Sequence, residues 1–172
     1  MKTTLLLMMT MVCTIVFGQT DKSKRPSPPD SVMVTTNDGV TMAIHYSSPS
    51  LKGREIGVDI VPLGQLWRTG ANEATTIEFD RDVLINNEKL AKGKYSLYTL
   101  PGEMQTILIF NKIWNQWGAG KYDEKQDALR VTVINSSGGT ALERFKINAD
   151  KAGKVTLAWG NYLLPFQVKA VQ

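Results

Sequence analysis

Apolar and polar residues alternate along this chain in short runs, the period-two signature of strands that bury one face. Ser31–Thr36 alternates into Asn37-Asp38-Gly39, and Val40–Tyr46 alternates again. Asp-Gly between two such runs predicts a hairpin, because glycine readily takes the positive φ of a tight turn. In the second run Val40, Met42, Ile44 and Tyr46 share one face, while Thr41, Ala43 and His45 share the other. Strand-like runs recur at Thr75–Phe79, Val83–Ile85, Tyr95–Leu100, Thr106–Phe110, Leu129–Ile134, Glu143–Ile147, Val155–Trp159 and Tyr162–Val168. Pro101-Gly102-Glu103, Ser136-Ser137-Gly138-Gly139 and Gly160-Asn161 read as turns between them. Ile107–Phe110 is apolar on both faces, which predicts a strand covered on both sides. No segment sustains a period of 3.6 residues. The expected fold is all-β, an antiparallel β-sandwich of about ten short strands, with a jelly-roll-like arrangement open to it.

One stretch interrupts the rhythm. Ser47–Ala74 runs for 28 residues without strand or helix periodicity. Loops beyond about 12–15 residues are uncommon in compact domains and usually carry function or conceal short elements. A single long ordered loop, draped over one end of the sandwich, is therefore expected.

The N-terminus changes the domain boundaries. Lys2 precedes an apolar run, Leu5–Phe17, that ends in small residues, the pattern of a secretory signal peptide. The run is shorter than the roughly 20 residues a membrane-crossing helix needs. Residues 1–18 are assigned to the signal, with cleavage after Gly18 and export to the periplasm, cell surface or exterior. Cys13 follows Val12 rather than a small residue, so lipidation is not expected. Gln19–Asp30, rich in Pro, Ser and Lys, reads as a flexible leader, and 31–172 as one domain.

Composition then removes several chemistries. The 172 residues are 42% hydrophobic and 21% charged, as in ordinary globular proteins. One His and one Cys cannot form His/Cys metal clusters or a Cys–His nucleophile pair within the chain. Cleavage removes the cysteine, so the exported chain must be held by its core and not by disulfides. The net charge of +4 owes much to Lys2 and to Lys22, Lys24 and Arg25 in the leader. No basic stripe suited to nucleic acid appears, and no metal or cofactor is assigned.

The loop begins Tyr46-Ser47-Ser48-Pro49-Ser50-Leu51-Lys52-Gly53-Arg54. It continues through Val61-Pro62-Leu63-Gly64-Gln65-Leu66-Trp67-Arg68-Thr69-Gly70-Ala71-Asn72-Glu73-Ala74-Thr75. With Ala91-Lys92-Gly93-Lys94-Tyr95-Ser96-Leu97 and Asn115-Gln116-Trp117-Gly118, it resembles the exported bacterial domain-of-unknown-function family 2911. The resemblance spans nearly all of the exported chain, and Trp67–Thr75 is its most specific string. Ser48 stands where Arg is frequent in the family, and Leu63 where Tyr is frequent. The resemblance implies export and a β-rich fold; it brings no activity and no catalytic residues.

Candidate ligand-binding residues are Trp67, Arg68, Asn72 and Glu73, with Trp114 and Trp117 as a second group. An aromatic platform beside a guanidinium, an amide and a carboxylate suits a sugar or a carboxylated ligand. The alternative is a loop lock: Arg68 pairs with Glu73, Asn72 and Thr69 satisfy backbone groups, and Trp67 plugs the core. Trp114 and Trp117 offer glycan stacking if exposed and loop anchoring if buried. His45 reads as an outward strand residue, and Trp159 as core. Glycosidase chemistry needs two carboxylates about 5–9 Å apart, for which Glu73 with Glu55 or Asp59 is the candidate set. Tyr122–Asp127 lacks the spacing and glycine of a Ca²⁺ loop and reads as a solvated acidic turn. The leading expectation is a non-catalytic binding module for a glycan or envelope component. A carboxylate-dependent glycan hydrolase and a structural or assembly protein are the alternatives.

Overall fold

The computed structural model describes residues 21–172; the segment read as a signal peptide lies outside them. Ten strands form two sheets in which every hydrogen-bonded pair is antiparallel. The first sheet has the order β1-β2-β3-β6-β7-β8, and the second β5-β4-β10-β9. The six strands of the first are β1 (Pro29–Thr35), β2 (Thr41–Ser47), β3 (Thr76–Phe79), β6 (Gly93–Pro101), β7 (Gln105–Asn111) and β8 (Asp127–Ile134). The second holds β4 (Val83–Ile85), β5 (Glu88–Leu90), β9 (Ser136–Ala149) and β10 (Lys154–Ala170). Strand β1 begins two residues inside the segment read as leader, and Lys22–Lys24 form a 3-10 turn before it.

The alternation in the sequence decides which side chains meet. Met42, Ile44, Ile77, Phe79, Leu97, Leu108 and Phe110 from the first sheet belong to one core with Val83, Ile85, Phe145, Ile147, Val155, Leu157, Phe166 and Val168 from the second. Transfer of such side chains from water is the main force holding sandwiches together. Strand β7 is covered on its outer face as well. Ile109 and Tyr98 are fully buried there, packed with Leu66, Ala119 and Tyr122.

The β1–β2 hairpin forms as its Asp-Gly pair predicts, with Gly39 at φ +89°. Two expected turns are instead parts of strands. Strand β10 runs straight through Gly160-Asn161, because Gly160 at φ +54° absorbs a register shift against β9 without ending the pairing. Ser136 and Ser137 pair with Leu163 and Tyr162, so Ser136–Gly139 opens β9 and leads into a wide bulge. Strand β5 was not anticipated. It follows Asn86-Asn87, both at positive φ, and its first two residues, Glu88 and Lys89, are exposed polar residues with no apolar signal.

The chain changes sheets between β8 and β9 through one residue, Asn135. Its amide donates to the carbonyls of Gly102 and Glu103 at 2.8 and 3.1 Å and accepts from Thr106 Oγ1 and Tyr162 OH at 2.8 and 3.1 Å. On the other side of the sandwich, Tyr46 OH donates to Asp30 at 2.7 Å and accepts from the Ile147 N–H at 3.1 Å. That N–H lies on β9, an edge strand, and would otherwise be a buried donor without a partner. Burial pushes the Tyr46 hydroxyl well above the ordinary phenol range, so it remains a donor at any physiological pH. Tyr46→Phe should therefore destabilise the fold by about 1–3 kcal/mol, the cost of stranding a buried donor. Thermal unfolding checks this; an unchanged melting temperature would show that Ile147 finds water instead.

Candidate functional site

The long loop is ordered without strands or helices of its own, and two unpaired sheet edges hold it. Its first part lies along the free edge of β9. Leu51 N–H donates to Glu143 O at 2.8 Å, Phe145 N–H to Pro49 O at 2.9 Å, and Ser48 Oγ to Phe145 O at 2.6 Å. Its second part lies along β6, which extends beyond its four-residue partner β3. Gly64 N–H donates to Pro101 O at 2.7 Å, Trp67 exchanges bonds of 2.8 and 2.9 Å with Thr99, and Leu97 N–H donates to Thr75 O at 2.8 Å. Val61, between these lines, and Thr69, within the second, are both β-branched and adopt φ of +51° and +55°. Such conformations are strained for these residue types and persist only when surrounding contacts fix them.

Trp67 faces inward from this edge. Its half-buried ring stacks on Trp159 with centroids 5.7 Å apart and meets Phe145 edge-on at 5.2 Å. Its Nε1 donates to Gly70 O at 3.0 Å. The expected pairing of Arg68 with Glu73 does not form. Thr75 bonds back to the carbonyls of Arg68 and Thr69, and this compact turn directs the two side chains into different clefts. The Glu73 carboxylate is held at 3.0 Å by Lys22 and at 3.0 Å by Arg25, both from the leader. The Arg68 Nε is buried without a hydrogen-bond partner. Asn72 donates to Ser27 O at 3.0 Å, a second tie between loop and leader.

Trp114 and Trp117 are exposed, at 43% and 64%. Lys94 Nζ sits 4.5 Å over the Trp114 ring and the Arg25 guanidinium 5.9 Å from that of Trp117. The six candidate residues therefore do not converge on one site. Trp67, Arg68 and Asn72 line one cleft of about 460 Å³, Glu73 and Asn72 clamp the leader, Trp114 and Trp117 are exposed, and a backbone bridge joins Glu73 to Trp117. His45 is exposed, as expected of an outward strand position. Tyr122–Asp127 is not a freely solvated turn: Asp127 accepts from Tyr122 OH at 2.6 Å, Arg130 Nε at 2.8 Å and Asn111 Nδ2 at 2.7 Å. Among the described residues no group of three or more His, Cys, Asp or Glu side chains is placed to hold a metal ion.

What the loop covers was not expected. A cavity of about 350 Å³ lies between the sheets, beneath Ile56–Leu63. Trp67, Phe145, Leu157, Trp159 and Leu164 wall it, and Val61 closes it from above. Its polar groups are few: Thr99, Asn135 and Tyr162, with Glu103 at the rim. Asn135 and Tyr162 are bonded to each other and to Thr106, so they add little unmet polarity. Leu63, at one of the two positions that depart from the family pattern, also lines this cavity, whereas Ser48, the other, serves the β9 edge. Mostly apolar lining with a few fixed polar groups is the usual character of a small-molecule site. Of the wall residues, Trp67 is the one the sequence offers as a candidate ligand contact, and Trp159 reads as core. The available signal is the alternation of Ile56 and Val58 with Glu55, Gly57 and Asp59, and it is too short to stand out.

Fold and cavity together define a loop-capped, ten-stranded antiparallel β-sandwich with an apolar space between its sheets. The chain belongs to the family described as "Protein of unknown function (DUF2911)", whose sequence profile matches residues 27–168. No curated protein and no solved structure matches it.

The leader clamp has a pH signature. Burial alone would raise the Glu73 pKa, but its own backbone N–H, Lys22 and Arg25 outweigh that and hold it at about 2, against an ordinary 4.5. A depressed folded-state pKa contributes stability that is present above pH 4.5 and lost as pH falls toward 2. Wild type should lose more melting temperature than Glu73→Gln across that window. Salt should shrink the difference, since the carboxylate side chain is 40% exposed. Parallel acid profiles for the two proteins would show that the clamp contributes nothing.

Proposed function

We propose that this protein is an exported, non-catalytic binding domain, and that its ligand occupies the inter-sheet cavity beneath the long loop. Export is supported by the sequence of residues 1–18, a basic start followed by the apolar run Leu5–Phe17. Among the described residues no helix is long and apolar enough to cross a membrane. The observation that carries the binding reading is the cavity itself: about 350 Å³ of apolar space walled by aromatic and aliphatic side chains. A hydrolase using Glu73 has less support, because a carboxylate held ionised between two cations is in the wrong state for a general acid.

A neutral apolar fluorophore, N-phenyl-1-naphthylamine, tests this reading. It should bind saturably, one per chain, and quench emission from Trp67 and Trp159 in a Trp114→Phe/Trp117→Phe background. Leu164→Phe and Leu157→Phe, which push side chains into the space, should weaken binding at least tenfold while circular dichroism stays native. No saturable binding to wild type would remove the cavity reading. Unaltered binding in both folded filling variants would move the site elsewhere.

A second reading has its own support. Trp114 and Trp117 are both exposed on one loop, each with a cation near one side of its ring, and exposed indoles of this kind can stack on glycans. Calorimetry against a panel of envelope glycans should then show binding that falls at least tenfold in Trp117→Ala. Heats indistinguishable from dilution across the panel would remove this reading and leave the cavity untouched.

A further inference from the structure

The cavity continues beyond its own wall. Ile56, Glu103, Asn135 and Tyr162 line it and also line an adjoining, wider cleft of about 620 Å³. Along that path the chemistry changes. The inner space is walled by Trp67, Phe145, Leu157, Trp159 and Leu164, whereas the outer cleft presents Arg54, Glu55, Ser136, Ser137 and Asn161. Val58 and Leu63 line the first space and Met104 and Ile134 the second, all four of them exposed, at 66%, 45%, 81% and 71%. Four of the eight large hydrophobic side chains that the described residues leave in water thus line this one pair of connected spaces. Exposed apolar residues gathered in this way mark a surface that meets an apolar partner.

We infer that the site takes a single-chain amphiphile, its hydrocarbon tail in the inter-sheet cavity and its polar head in the outer cleft. The inference rests on the cavity being a binding site and adds the class of ligand. Volume sets the tail. At the roughly 30 Å³ that a water molecule takes in the liquid, the inner space holds about a dozen carbon-sized groups. Charge sets the head. The outer cleft and the junction carry one cation, Arg54, and two carboxylates, Glu55 and Glu103, and none of the three forms an ion pair among the described residues. Arg54 already gives two N–H bonds, to the Ser50 and Leu51 carbonyls at 2.8 and 2.9 Å. A head with a lone negative charge would face the two carboxylates, so a zwitterionic or uncharged head suits the cleft.

The test is displacement of bound N-phenyl-1-naphthylamine by defined amphiphiles below their micelle concentrations, with near-ultraviolet circular dichroism followed throughout. Alkylphosphocholines should displace the probe about fourfold more tightly per added methylene. That gain should level off near twelve carbons, when the cavity is full. Dodecyl maltoside should behave as dodecylphosphocholine does, and phosphocholine or maltose alone should displace nothing. Dodecanoate should be at least tenfold weaker, and the Glu55→Gln/Glu103→Gln variant should remove most of that difference. If the probe binds and no amphiphile displaces it, or if displacement ignores chain length or accompanies loss of the native spectrum, the inference falls while the cavity reading stands. Equal binding of dodecanoate would overturn the assignment of the head. Failure of the probe itself to bind would remove both.

Discussion

Every backbone N–H and C=O that leaves water must find a partner, and in this fold two strands beside the long loop, β9 and β6, have edges that no strand fully pairs. Strand β9 ends the second sheet, and β6 outruns the four-residue β3 beside it. The segment between β2 and β3 satisfies both. Its start bonds along β9 and its end along β6, so a stretch with no periodicity becomes as fixed as the strands it touches. The same bonding accounts for the positive φ of Val61 and Thr69. A β-branched residue does not choose that conformation locally; here the two anchored ends leave the chain little else.

The cavity follows from that geometry. The loop is tied to one sheet at Ser48–Leu51 and to the other at Gly64–Thr75, so it bridges the end of the sandwich and does not fill it. Trp67 sits at the second tie and stacks on Trp159 of the opposite sheet. It is therefore both the plug that a loop lock requires and a wall of the space a ligand would enter. These two roles looked like alternatives when the residue was read alone. In three dimensions they are one contact, seen from the core and from the cavity.

Much of the scaffold was legible because it depends on short-range rules. Alternation assigned Met42 and Ile44 to the core and His45 to the surface, and Asp38-Gly39 located the first hairpin. Errors came where one local signal serves two structures. Gly160-Asn161 and Ser136–Gly139 have the residues of turns, but glycine at positive φ also accommodates a bulge, and pairing across the β9–β10 hairpin decides between them. The site was less legible, because its partners lie far apart in sequence. Glu73 is neutralised by Lys22 and Arg25 about 50 positions away, and not by Arg68 beside it. The cavity wall draws on the loop, β9 and β10, and no window of sequence contains it.

The cavity is walled mostly by apolar side chains, yet it is open to water past Val58 and Leu63, which are 66% and 45% exposed. Longer side chains at Leu157 or Leu164 would close much of the space, and the loop could do the same by settling between the sheets. Neither has happened. Instead the loop is held off the gap by bonds to both edges, and three aromatic rings, Trp67, Phe145 and Trp159, pack against one another to form a stiff wall. An apolar space kept open in this way is the physical feature on which the proposed binding role rests.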